Sequence, residues 1–251
     1  MSTLEPAPRV PITGLRALLY GAGNVGAGMM FAFTNAVLPL YLAGYGLPNA
    51  VIGVLSQERP PLAGLSQIVA GALSDRTRTP LGRRRPYILA GIPVAAAALL
   101  ALALRPPLWA MLFALVLTTT ALAIAYGPYL ALLADLVPAR QRARAGAVLA
   151  LGSGFGQLLF LSLAAQFWPQ QAALVFVLVA GGLLAGFALV LLGVREKVLA
   201  PAALEPLSFR PVAYVRGVLE HREVMKHLFA TLFFWLGTGG VVPFLTRFQR
   251  A

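Results

Sequence analysis

Between Gly71 and Pro86 the chain reads Gly-Ala-Leu-Ser-Asp-Arg-Thr-Arg-Thr-Pro-Leu-Gly-Arg-Arg-Arg-Pro, and an apolar run of bilayer-spanning length lies on either side of it. The loop sets Arg76, Arg78, Arg83, Arg84 and Arg85 against a single acid, Asp75. It cannot enter hydrocarbon, where each central arginine costs about 2.5–3.5 kcal/mol even on a lenient insertion scale. It therefore stays on one side of a membrane, and the rest of the chain has to be threaded around it. Composition agrees: 59% of the residues are hydrophobic and 11% charged, whereas a soluble domain carries about 25% charged residues. The formal net charge of +12 could suggest a nucleic-acid partner. The arginines cluster between apolar runs and not along one polar face, so nucleic acid is excluded and membrane lipid headgroups are the counter-charge.

A polar tail over residues 1–16 precedes six apolar runs, at about Ala17–Leu42, Ala50–Leu73, Tyr87–Leu104, Leu108–Leu136, Ala145–Trp168 and Ala172–Val194. Each is near the roughly 20 residues that a spanning helix needs. The first is too long for a signal-peptide core and is read as a retained helix. Connections after the first, third and fifth runs hold only Arg105 among charged residues. Those after the second, fourth and sixth, with Arg9 and Arg16, hold sixteen of the twenty basic residues. By the positive-inside rule that side is the cytoplasm, and the N-terminus lies there. A longer connection follows over 195–227, in which Val212–Lys226 has the amphipathic pattern of a helix lying at the interface. A seventh apolar run, about Leu228–Leu245, falls in the last segment, 228–251. The expected fold class is an all-α membrane protein: a six-helix transmembrane bundle over 17–194, a cytoplasmic linker and a seventh transmembrane helix, multi-pass in the plasma (inner) membrane.

The sequence offers no enzyme chemistry. It has no cysteine, so disulfides and thiolate metal sites are excluded. His221 and His227 have too few ligands around them for a metal centre. There is no phosphate loop, catalytic triad or paired acid, and no cofactor is expected.

Gly71, Leu73, Asp75 and Arg76, closed by Gly82, Arg83, Arg84 and Arg85, form a Gly-x-Leu-x-Asp-Arg core followed by glycine and basic residues. The stretch resembles the loop between helices two and three of the major facilitator superfamily. Its Leu-Gly-Arg-Arg-Arg-Pro ending is similar to the sugar:cation symporters, namely the glycoside–pentoside–hexuronide group and the sucrose transporters. A second stretch, Gly127-Pro128-Tyr129-Leu130-Ala131-Leu132-Leu133-Ala134-Asp135-Leu136, resembles the Gly-Pro-x-x-Ala-Leu-Leu-Ala-Asp-Leu run of the sucrose transporters. Two departures count. Leu130 stands where sucrose transporters carry an arginine, which speaks against sucrose itself. The fifth run holds Gly146, Gly152, Gly154 and Gly156 but no Gly-Pro pair, unlike the antiporter signature of multidrug exporters, which favours import by symport.

The resemblance implies the N-terminal half of a facilitator fold plus helix seven, and proton- or cation-coupled symport of a sugar or similar small polar solute by alternating access. Two alternatives stand beside it: an exporter of hydrophobic compounds, and a truncated membrane fragment that does not transport. A facilitator cavity lies between two six-helix halves, so the expected partner is a missing C-terminal half or a second copy of this chain.

The resemblance also implies a cytoplasmic gate. Asp75, Arg76 and Asp135 match the family's charge network that latches the inward side, with Gly71, Gly82, Arg83, Arg84 and Arg85 completing the motif. Ion pairs at helix ends can form and break as halves rock, which shifts a two-state balance. Within the second run, Gln57-Glu58-Arg59-Pro60-Pro61 places an acid and a base at membrane depth, a costly arrangement that marks either a pathway or an internal pair. Glu58 resembles by location the cation-coupling acids of melibiose-type symporters. A coupling pair and an ion pair that stabilises a proline kink both remain open for Glu58 and Arg59. Sugar sites want amide and hydroxyl groups beside an aromatic platform, which nominates Asn24, Tyr126, Gln157 and Trp235. Asn35, Gln67, Tyr129 and Ser153 are the other polar residues at that depth. Gly21, Gly23, Gly26 and Gly28, with Gly152 and Gly156, read as close helix packing.

Overall fold

The computed structural model describes residues 15–56, 61–77 and 79–193, and in addition 220–223, 225–226, 229–234 and 237. The chain divides into two compact units, Met1–Val198 and Leu199–Ala251. In the first, α1 (Leu15–Ala32) passes through a π-helical turn (Phe33–Val37) into α2 (Leu38–Ala43). Then come α3 (Asn49–Leu55), α4 (Pro61–Arg76), α5 (Arg85–Ala103), α6 (Leu108–Leu136), α7 (Arg142–Phe167) and α8 (Ala172–Gly193). Five stretches among the described residues are long and apolar enough to cross a membrane: Ala17–Ala43, Arg85–Ala103, Leu108–Leu132, Arg142–Phe167 and Ala172–Gly193. Helices are what such sequences must form, because in hydrocarbon every backbone N–H and C=O has to be satisfied within the segment. The protein is an all-α, multi-pass integral membrane protein.

The expected second span is where sequence and structure differ. Instead of one helix, the run Ala50–Leu73 is shared by α3, which ends at Leu55, and α4, which opens on Pro61. Proline suits a first helical turn, but further inside a helix it lacks an N–H and crowds the carbonyl four residues back. Residues 57–60, and with them Glu58 and Arg59, lie outside the described residues.

α1 packs against α7 and α8, α5 against α6 and α8, and α4 against α6. Exchanging the first span for the fourth, the second for the fifth and the third for the sixth leaves this set of neighbours unchanged. The α1–α7 pair becomes α6–α4, α1–α8 becomes α6–α5, and α5–α8 returns to itself. The start of α1 lies beside the end of α6, where Tyr20 meets Tyr129, which is the arrangement that an inverted-topology repeat of two triplets gives.

Close backbone approach makes α1 the centre of one side. A Cβ on Gly156 of α7 would collide with the Val25 backbone of α1, and one on Gly186 of α8 would sit 2.5 Å from the Ala22 carbonyl oxygen. Without water inside the bilayer to drive association, such small-residue contacts supply the packing. Phe33, fully buried, fills the centre of this side edge-on to Phe160 and Phe176, with ring centroids 6.2 and 5.1 Å away.

In the second unit, residues 222–223, 225–226, 229–234 and 237 are helical. Lys226 Nζ pairs with Glu223 Oε1 at 2.7 Å on an exposed face. The remainder of the expected linker and seventh span, Trp235 included, lies outside the described residues.

Candidate functional site

Two arrangements carry chemistry, one at the arginine-rich end of the first unit and one at mid-depth. Asp75 sits in the last turn of α4 and Asp135 in the last turn of α6. The connection between α4 and α5 folds back over both. Gly82 makes the bend at φ 106°, a conformation that costs glycine little. Its N–H donates to the Thr79 carbonyl at 3.0 Å, and the Thr79 hydroxyl donates to the Gly82 carbonyl at 2.5 Å. Thr77 and Tyr87 join the two ends of the loop through their hydroxyls, 2.6 Å apart.

The fold brings Arg83 and Arg84 onto the two acids. Arg83 Nη2 donates to Asp135 Oδ2 at 2.6 Å, and Arg84 Nη2 donates to Asp75 Oδ1 at 3.1 Å. Arg84 Nε lies 2.8 Å from Asp135 Oδ2, a charge contact without hydrogen-bond alignment. Arg84 thus bridges the ends of α4 and α6, its side chain only 7% exposed against 55% for Asp75 and 33% for Asp135. Arg85 turns the other way and donates from Nη2 to the Leu191 carbonyl in the last turn of α8, where the helix presents its negative end. The side chain of Arg76 lies outside the described residues. Gly71 stands on α4 with open space where a Cβ would be, its carbonyl accepting from Ser74 Oγ at 2.8 Å.

At mid-depth, α1, α4, α6 and α7 line a partly open cavity of about 120 Å³. Its polar lining is Thr34, Gln67, Thr119, Tyr126 and Ser153, its apolar lining Met30, Phe31 and Leu122, with Ala27, Gly64 and Ala123 giving room. No charged side chain lines it among the described residues. Thr34 is placed by the π-helical turn, a feature often found at functional sites, and its hydroxyl donates to the Met30 carbonyl at 2.9 Å. The Gln67 amide has no hydrogen-bond partner among the described residues, which leaves both its donor and its acceptor for a solute.

The residues nominated from sequence divide. Tyr126 lines the cavity. Asn24 stands behind it, 6% exposed: its amide donates to the Leu149 carbonyl at 2.9 Å, and its Oδ1 accepts from the Tyr126 hydroxyl at 3.2 Å. Asn24 thereby ties α1 to α7 and orients Tyr126. Gln157 lies beside the lining and donates to Ser153 Oγ at 3.3 Å. Thr34 and Thr119 are lining residues that the sequence reading misses, although Thr119, Ala123 and Tyr126 recur at helical spacing as a small and polar stripe on a largely apolar helix.

Comparison with known proteins adds the family. The model described as MFS/sugar transport protein matches residues 19–245. A human protein, "Membrane-associated transporter protein", is 30% identical over 184 residues, which cover 67% of this chain and 34% of that protein. "Sucrose transport protein SUT2" of Oryza sativa subsp. indica is 40% identical over 91 residues, 34% of this chain and 18% of that protein. The corresponding SUT3 protein is 33% identical over 84 residues, 34% and 16% respectively. The chain thus matches about a third or less of the length of these relatives. Among solved structures, the crystal structure of peptide transporter POT in complex with sulfate superimposes with TM-score 0.60 at 18% identity, over 96% of this chain and 51% of that one. The likeness is one of fold.

Proposed function

Because the chain belongs to the MFS/sugar transport protein family, we propose that it takes part in secondary active transport of an uncharged, sugar-like solute, by proton- or cation-coupled symport with alternating access. The observation that carries this reading is the mid-depth cavity. It offers hydroxyl and amide groups from four helices, no charge among the described residues, and the aromatic rings of Phe31 and Tyr126. A neutral polyol is recognised by such groups and is not repelled by them. The sucrose transport relatives support a sugar as the class of solute. The cluster of Asp75, Arg83, Arg84 and Asp135 supplies the gate on the arginine-rich side, which the excess of basic residues assigns to the cytoplasm together with the N-terminus. Glu58, from its place in the sequence, supplies the coupling carboxylate, with Arg59 tuning it. No bond-making chemistry is assigned, so the protein is read as a carrier and not an enzyme.

The test is uptake of a labelled sugar panel into proteoliposomes carrying the chain under an imposed proton gradient, with Gln67→Leu and Glu58→Gln alongside. Gradient-driven uptake of a neutral sugar, weakened by Gln67→Leu and uncoupled from the gradient by Glu58→Gln, is the expected result. Movement of hydrophobic cations with no sugar uptake would overturn it in favour of an exporter.

A further inference from the structure

Another cavity of the first unit lies at the end opposite the arginine cluster, where α2, α5 and α7 stop and α6 starts. It measures about 210 Å³ and is lined by Leu40, Tyr41, Gly44, Tyr45, Arg105 and Trp168. The transport reading makes no use of it. We propose that this cavity binds the phosphate of an anionic membrane lipid, with the Arg105 guanidinium as its ligand.

Three observations carry the assignment. First, Arg105 is an isolated charge among the described residues. The described acids of this unit, Asp75 and Asp135, are both at the other end and both held by Arg83 and Arg84. No acid faces Arg105 among the described residues, which leaves its guanidinium open to an anion from the surroundings. Second, the backbone presenting it is held in place. Arg105 has φ 49°, a left-handed conformation that a residue with a Cβ adopts only at a cost. The turn is closed by the Arg105 N–H donating to the Leu102 carbonyl at 3.1 Å. Tyr41 in the first span and Tyr45 just beyond it clamp the turn from the side: Tyr41 donates its hydroxyl to the same Leu102 carbonyl at 2.7 Å, and Tyr45 donates to the Pro106 carbonyl at 2.7 Å. A flexible arginine on a fixed backbone, beside aromatic rings, suits a bidentate hold on phosphate. Third, the surroundings suit a lipid better than a free anion. Leu104 and Trp109, on either side of Arg105 in sequence, are 83% and 74% exposed. They offer acyl chains exposed apolar side chains close in sequence to the charge, while Trp168 and Tyr45 take the aromatic positions of an interface.

The test uses the full chain with Trp109→Phe and Trp235→Phe, so that Trp168 in the cavity wall is the only tryptophan. It is reconstituted in phosphatidylcholine vesicles into which brominated phosphatidylglycerol or brominated phosphatidylcholine is mixed, and Trp168 quenching is read. The expected result is an enrichment of the glycerol lipid at Trp168 of about fivefold, the size that one arginine near a charged surface supports. Arg105→Asn, which removes the charge while keeping a residue tolerant of the left-handed backbone, should abolish the preference. Arg105→Lys should retain part of it, and Arg140→Gln at the opposite end should leave it intact. Equal quenching by both lipids, or a preference that survives Arg105→Asn, would overturn the proposal. A change in Trp168 emission on adding inorganic phosphate to the detergent-solubilised chain, with no lipid preference in vesicles, would assign the site to a free anion and overturn the lipid.

Discussion

Tyr20 on α1 and Tyr129 on α6 each donate a hydroxyl hydrogen bond to the other's backbone carbonyl, at 2.5 and 2.7 Å, with their rings stacked 4.9 Å apart. Both are buried, at 2% and 0% exposure. They join the first helix of one triplet to the first helix of the other, just below the charged cluster. Interhelical hydrogen bonds in membrane proteins average about 0.6 kcal/mol and reach about 1.7. Tyr20→Phe and Tyr129→Phe should each cost about 1 kcal/mol in a detergent-unfolding assay. Since both act on one contact, the double variant should depart from the sum of the singles by about 0.5 kcal/mol or more.

The charged cluster ranks its own acids. Asp135 receives both Arg83 and the buried Arg84, whereas Asp75 is more than half exposed and pairs, among the described residues, with Arg84 alone. Asp135→Asn leaves a buried guanidinium short of its counter-charge and should destabilise by about 1–3 kcal/mol. Asp75→Asn should cost less than about 1 kcal/mol, as exposed pairs do. A thermal-unfolding comparison of the two in one detergent reads the order, and equal losses would contradict it.

Glycine substitutions should separate by position. Gly156→Val drives a side chain into the Val25 backbone and should cost more than the roughly 1–3 kcal/mol of ordinary overpacking. Gly154→Ala, two residues earlier on the same helix, meets nothing within 4 Å and should be neutral or slightly stabilising, since alanine is the better helix former. Yield and melting temperature of the two purified variants check this.

Cavity residues should split by what they touch. Gln67→Leu removes an amide that bonds nothing among the described residues, so it should weaken solute uptake by about tenfold, the size of one lost hydrogen bond, with melting temperature unchanged. Asn24→Leu breaks the bonds to Leu149 and Tyr126, so it should lower both uptake and stability. A variant set in which Asn24→Leu spares stability would remove the positioning role assigned to Asn24.

The spans and the loop charges were legible because hydrocarbon acts as a one-dimensional filter: a run either is apolar over the needed length or is not. Leu108–Leu136 was readable to the residue for that reason. The second span resisted this reading, since hydropathy does not register that a helix ending at Leu55 and another opening on Pro61 share one apolar run. The family resemblance likewise grouped Asp75, Arg76, Asp135 and the arginines 83–85 as an expected gate. It could not say that Arg84 bridges the acids while Arg85 caps α8.

By itself, then, the sequence determined that the chain crosses a membrane as helices, which ends carry the positive charge, and which small residues allow close approach, because each of these is a local property of composition and spacing. Only the tertiary structure decided which polar residues meet. Successive helix positions turn about 100° apart, and a π-helical turn or a proline shifts the count. That is why Asn24 ends behind Tyr126 while Gln67, another polar residue at the same depth, ends in the cavity. It also explains how Arg105, a lone charge in the sequence, comes to lie among two tyrosines and a tryptophan drawn from two other spans.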